Sequence, residues 1–140
     1  MLRRALLAAA LSLTSTASWA AGGGAPPKDP GQYVDLLPVA LPIVAEGRLV
    51  NYVFVYVRIN LTGAALPNKL REREPHFRDA LVRAGHRTPF TQAGDYNKID
   101  AAKLAATMMR EAAAIAGPGQ VRSVVVTSQQ PRRRVGAPRA

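Results

Sequence analysis

The sequence has no cysteine, only two histidines, and nine acidic residues against 19 basic ones in 140 positions. The lack of cysteine excludes a disulfide framework, a cysteine nucleophile and any thiolate metal site. The hydrophobic share of 48% is ordinary for a globular chain and excludes wholesale disorder. A chain of this length predicts one domain, since domains commonly take roughly 100–150 residues. The net charge of +10 indicates an anionic partner only if it lies on one folded face.

No apolar run reaches the ~20 residues that a transmembrane helix needs. Residues 1–20 instead predict a secretory signal peptide, because Arg3 and Arg4 precede nine almost wholly apolar residues. Positions 5–27 carry no charge, so a retained membrane anchor is the alternative to cleavage. Either form predicts an exported protein that is periplasmic or associated with the inner membrane. Nucleic acid is therefore not an expected partner.

The positive charge is concentrated toward the ends of the chain. Residues 21–32 are rich in Gly and Pro and predict a linker. Residues 33–130, the predicted domain, hold 12 basic and eight acidic residues, a net charge of only +4. Residues 131–140 predict a basic flexible tail, which includes Arg132, Arg133 and Arg134.

Two strands are predicted in the first half of the domain. Residues 33–45 are extended and apolar, but Pro38 and Pro42 favour an edge or bulged strand. Residues 48–61 give the clearest strand, with aliphatic side chains at odd positions and mixed aromatic and polar side chains at even positions. The aromatic face is expected to pack beneath a helix, although an open face that stacks on a ligand is the alternative.

Two helices and a last strand follow. The first helix begins near Lys69 or at Pro75 and ends at Gly85, whereas residues 86–97 predict a loop. Asp100 is a suitable N-cap for a second helix over residues 101–116. Residues 121–129 predict the closing strand. The order β-β-α-α-β predicts an α+β fold in which helices pack on one face of a small antiparallel sheet.

Motifs for catalysis are missing from the sequence. His76 and His86 do not form a metal-binding spacing, and no Gly-x-Ser-x-Gly elbow or phosphate-binding loop occurs. Most acidic residues have basic neighbours, which is typical of a solvated helix surface. We therefore expect no enzyme activity, no metal and no cofactor, and we favour a binding or structural role.

Several segments resemble the FliL family of flagellar basal-body-associated proteins. They include the proline-led helix start over residues 74–81, the strands at residues 39–44 and 49–61, the loop at 88–91, the helix at 101–116 and the strand at 121–127. The resemblance implies a fold similar to the stomatin-like domain and a non-catalytic protein that contacts stator or basal-body components. Candidate contact residues are Arg78 and Asp79 on the first helix, and Tyr52 and Tyr56 if their strand face is open.

A small periplasmic binding module is the alternative function. In that interpretation Arg132, Arg133 and Arg134 hold an anionic envelope polymer or a membrane surface. Self-association remains open in both interpretations.

Overall fold

A computed structural model describes residues 31–136. The predicted signal peptide and most of the predicted linker lie outside these residues. The described chain is a mixed α+β fold with a small antiparallel sheet, which confirms the predicted fold class. Its elements are β1 (Tyr33–Asp35), β2 (Val39–Ala45), β3 (Arg48–Leu61), α1 (Pro67–Glu72), α2 (Glu74–Arg87), β4 (Thr91–Gln92), β5 (Asp95–Ile99), α3 (Ala101–Ala116) and β6 (Val121–Pro131).

Strand β3 is the centre of the main sheet. Strands β1 and β2 lie end to end along one edge of β3, and β6 lies along its other edge, all antiparallel to it. Pro42 is the cross-strand neighbour of Tyr52, whose carbonyl oxygen accepts a hydrogen bond from Arg132 on the opposite side. Backbone groups at Pro42 therefore point away from β3, and its missing N–H costs no ladder bond. The predicted strand over residues 33–45 is two strands, β1 and β2, separated by residues 36–38, and both lie at an edge of the sheet. The pairing of β2 with β3 is irregular between Ile43 and Val44, where Val50 of β3 is left out of the register.

The core lies on the odd-numbered face of β3. Val53, Val55, Val57 and Ile59 are buried there together with the apolar stripes of the helices. Helix α2 contributes Phe77 and Leu81, and α3 contributes Leu104 and Met108. Helix α2 approaches the sheet closely at Gly85, where an added Cβ would lie 2.7 Å from Leu41 Cδ2. A larger residue at this position would require the buried Leu41 side chain to move.

The predicted first helix is two helices. Helix α1 begins at Pro67, two residues before Lys69, and α2 begins after Arg73 and carries Pro75 in its first turn. Helix α2 continues two residues beyond Gly85, the predicted end, to Arg87. Helix α3 has its predicted bounds, and the Asp100 side chain accepts a hydrogen bond from the backbone N–H of Lys103 at 3.0 Å.

The prediction of a loop over residues 86–97 is wrong in part, because the segment includes the end of α2 and most of a small hairpin, β4 and β5, whose second strand continues to Ile99. The hydroxyl of Thr91 holds it to the sheet edge, since its Oγ1 accepts from the N–H of Val44 at 3.0 Å and donates to the carbonyl of Val44 at 2.8 Å. Strand β5 contacts β3 and β6. These tertiary contacts stabilise strands that are too short to leave a periodic pattern in the sequence.

The folded part continues past residue 130, which corrects the prediction of a flexible tail that starts at residue 131. Strand β6 includes Pro131, and the N–H of Arg132 donates to the carbonyl of Tyr52 at 2.8 Å. The N–H of Val135 donates to Asn97 Oδ1, and Asn97 Nδ2 donates back to the carbonyl of Val135, both at 2.8 Å. The chain is therefore held to the domain as far as Val135. Within residues 31–136, no helix has the length and apolar character needed to cross a membrane.

Candidate binding surface

The even-numbered face of β3 is not covered by a helix in the described part of the chain. We call it the open sheet face; β3 contributes Tyr52, Phe54, Tyr56, Arg58 and Asn60, β1 contributes Tyr33 and Asp35, and β6 contributes Val125, Ser128 and Gln130. Phe54 is 40% exposed, and Tyr52 and Tyr56 are partly exposed. The prediction that these aromatic side chains pack beneath a helix is wrong, because the apolar stripes of α2 and α3 both join the core on the other face.

Arg58 is fixed at one end of the open sheet face. Its Nε and Nη2 donate to the two carboxylate oxygens of Asp35 at 2.7 and 2.9 Å, and its guanidinium carbon lies 3.9 Å from the centre of the Tyr33 ring. The hydrogen bond to Asp35 is the main cause that raises the pKa of Arg58 above its ordinary value. The bidentate pairing with Asp35 and the stacking on Tyr33 fix the orientation of the charged guanidinium beside the aromatic side chains of β3.

The other end of the open sheet face lies at Tyr52, where the segment after β6 returns to β3. A cavity of about 340 Å³ opens here, lined by Leu49, Val50, Asn51, Tyr52, Arg132 and Arg133. We call it the arginine pocket. The structure thus brings the predicted contact residue Tyr52 together with two of the three predicted tail arginines. Arg134 is exposed and does not line this cavity.

Arg78 and Asp79, the other two predicted contact residues, lie on α2 and not on the open sheet face. Arg78 Nε is 3.6 Å from Glu74 Oε1, and the same oxygen accepts a hydrogen bond from the N–H of Leu37 at 3.0 Å. Asp79 pairs with Arg83 at 3.2 Å on the exposed side of the helix. Helix α2 packs on the core face, so the sheet separates both residues from Tyr52 and Tyr56. Arg78 helps to hold the start of α2, through Glu74, against the break between β1 and β2.

The two histidines do not form a metal site. His76 lines a groove between α2 and α3, whereas His86 Nδ1 lies 2.8 Å from the carbonyl oxygen of Val82 in its own helix. Among residues 31–136, no group of three His, Cys, Asp or Glu side chains is placed to hold a metal ion. The open sheet face and the arginine pocket together are suited to binding. Aromatic side chains of β3 lie between Arg58 at one end and the pocket arginines at the other.

Sequence reasoning missed several residues of this surface. Asn51 interrupts the aliphatic odd positions of β3, and that interruption was a signal that it has a specific partner. Tyr33, Asp35 and Arg58 carried no comparable signal, because only the pairing of β1 with β3 places Asp35 directly across from Arg58.

No protein-family model matches the chain, and a search of curated proteins finds no match. The function proposed below therefore depends on the geometry of the surface and on the resemblance seen in the sequence.

Proposed function

We propose that this chain is a non-catalytic envelope protein whose open sheet face binds a partner protein. One observation supports the proposal more than any other. Tyr52, Phe54 and Tyr56 stand in a row on the central strand, opposite the packed core, and the described chain leaves them without a covering helix. Aromatic and arginine side chains are the residue types enriched at protein interfaces.

The dimensions of the open sheet face indicate what kind of contact it makes. Nine residues of β3 at ~3.3 Å each give a length of about 30 Å, and three strands ~4.8 Å apart give a width of about 15 Å. The projected area of roughly 450 Å² is about half of the ~800 Å² that each partner buries in a standard interface. The partner therefore makes either a transient contact or one that extends beyond the sheet, toward the arginine pocket.

The location of the partner is proposed from the sequence resemblance. Members of the FliL family are flagellar basal-body-associated proteins, and the α+β fold class of this chain agrees with that resemblance. We place the partner among stator or basal-body components. A signal peptide or anchor at residues 1–20 would bring the domain to the same compartment.

A motility assay tests this function. The gene is deleted, and swimming and swarming are compared after complementation with the natural chain or with the double variant Phe54→Ser, Tyr56→Ser. We expect deletion to reduce motility and the double variant to fail to restore it. Leu66→Ser is the control, because Leu66 is an exposed apolar side chain (58%, against 40% for Phe54) that lies outside the open sheet face, at the start of α1. Unchanged motility after deletion, with diffuse envelope localisation, contradicts the flagellar proposal.

A second candidate function is binding of an anionic envelope polymer. It is favoured by the excess of basic residues, 15 against eight acidic ones in residues 31–136, and by the exposed Arg132, Arg133 and Arg134. Sedimentation with isolated peptidoglycan at low and high salt tests it, using a triple Arg→Gln variant at these positions. Binding that the triple variant loses and that salt removes supports this candidate. Equal binding by the two proteins contradicts it.

A further inference from the structure

The arginine pocket has a rigid wall because a buried side chain holds the segment that carries its arginines. Asn51 is only 4% exposed, yet it lies on the core face of β3. Its Nδ2 donates to the carbonyl oxygens of Arg133 and Tyr96, at 2.9 and 3.0 Å, and its Oδ1 accepts from the N–H of Tyr52 at 2.9 Å. A buried amide with all these bonds satisfied fixes the two segments it joins.

The backbone on either side of Arg133 is held as well. Before it, the N–H of Arg132 donates to Tyr52, and after it Val135 exchanges two hydrogen bonds with Asn97. Both arginine Cα positions are therefore set before any ligand arrives. Binding to such a site costs less ordering entropy than binding to a flexible tail.

The guanidinium groups of the pocket retain free donors. Arg133 Nη2 makes one long hydrogen bond, 3.3 Å, to the carbonyl of Val50, and Arg132 has no acidic partner among the described residues. The cavity has no acidic residue in its lining. Two guanidinium groups without a carboxylate nearby favour an anionic ligand, and their planar fork matches a carboxylate.

The rest of the pocket lining includes apolar side chains. Leu49, which is 53% exposed, lines it together with Val50 and Tyr52. A volume of about 340 Å³ is at the small end of ligand cavities, which suits the end of one chain more than a long polymer. The ligand that fits these features carries one carboxylate next to an apolar group.

We propose that the arginine pocket binds the C-terminal carboxylate of a peptide segment of the partner, with a neighbouring apolar residue against Leu49 and Tyr52. This inference rests on the proposed function, since it names the anchor that the protein partner inserts beside the open sheet face.

The test uses the full chain labelled with ¹⁵N and a tripeptide probe, N-acetyl-Ala-Leu-Leu, as the free acid and as the C-terminal amide. We expect the acid to shift the backbone signals of Tyr52 and Arg132 and the Nε–H signals of Arg132 and Arg133. Affinity for the amide should be weaker by about tenfold or more, because the charged acceptor is lost. Arg132→Gln or Arg133→Gln should weaken binding of the acid by a similar factor.

Arg134→Gln is the matched control, since it removes the same charge one position beyond the pocket; it should change the affinity by less than about twofold. Equal binding of acid and amide, or the same shifts with inorganic phosphate at equal concentration, overturns the carboxylate assignment. The Phe54→Ser, Tyr56→Ser variant should still bind the acid. Loss of motility in that variant alongside an inert pocket would leave the proposed function intact and refute only this inference.

Discussion

Asn51 Nδ2 donates to the carbonyl oxygen of Arg133 across 2.9 Å, which fastens the segment after β6 to the start of the central strand. The two residues are 82 positions apart in the sequence. Together with the bond from Arg132 to Tyr52 and the two bonds between Val135 and Asn97, this bond holds the basic segment against the domain and places Arg132 and Arg133 beside Tyr52.

Replacing Asn51 by alanine should destabilise the protein more than replacing most polar residues does. The carbonyls of Tyr96 and Arg133 lose the donor of their partly buried hydrogen bonds, and each group left unsatisfied costs about 1–3 kcal/mol. We expect the free energy of unfolding, measured with urea, to fall by about 2–4 kcal/mol and amide exchange at Val135 to become faster. Asn60→Ala removes a single partly buried bond to Ser123 and should cost only about 1 kcal/mol. Equal losses in the two variants contradict the role given to Asn51.

Replacing neighbouring residues on the two faces of β3 by alanine should change the free energy of unfolding by different amounts. Phe54 lies on the open sheet face, and Val55 is 1% exposed in the core. Phe54→Ala should change the free energy of unfolding by no more than about 1 kcal/mol. Val55→Ala should lower it by about 2 kcal/mol or more, because it leaves a cavity. Thermal and urea unfolding of the two purified variants measures the contrast, and a larger loss for Phe54→Ala is incompatible with an uncovered face.

Gly85→Ala should destabilise the protein although alanine favours helix. The added Cβ meets Leu41 in the core, and overpacking costs roughly 1–3 kcal/mol, whereas alanine returns about 1 kcal/mol of helix propensity. Gly63→Ala is the control, since nothing lies within 4 Å of its Cβ position. Adding Leu41→Val should recover part of the loss from Gly85→Ala in a double-mutant cycle. A stabilised Gly85→Ala protein contradicts the close packing of α2.

Asp100→Ala should weaken α3 at its start. The variant loses the side-chain bond to the N–H of Lys103, and loss of an N-cap costs about 1 kcal/mol. Asp100→Asn keeps an acceptor and should be nearly neutral. Urea unfolding of both variants gives the measurement. If the asparagine variant loses as much as the alanine variant, the carboxylate charge matters more than the capping bond.

The parts of the fold that the sequence predicted are those with long, regular patterns. Strand β3 alternates over 14 residues, and α3 combines an apolar stripe with Asp100 as its cap, so both were found with their bounds. The hairpin of β4 and β5 was missed because Thr91 and the sheet edge hold it, and such contacts do not appear in a local pattern.

The candidate site was predicted only in part for the same reason. Alternation in β3 showed that its two faces differ, but it did not show which face the helices cover. In the structure, α2 and α3 each have one apolar stripe, and both stripes pack on the odd-numbered face of β3 in a single core. No helix is left to cover the even-numbered face in the described part of the chain. The meeting of Tyr52 with Arg132 depends on the register between β3 and β6, which a single sequence does not specify.

The most direct test of protein binding by the open sheet face is photo-crosslinking in living cells. Benzoylphenylalanine is incorporated at Phe54 or, as the control, at Leu66, and the adducts are identified by mass spectrometry. We expect a defined adduct with a stator or basal-body protein from position 54 and none of that mass from position 66. No protein adduct at position 54, or the same adduct from both positions, would contradict the proposal that this face binds a partner.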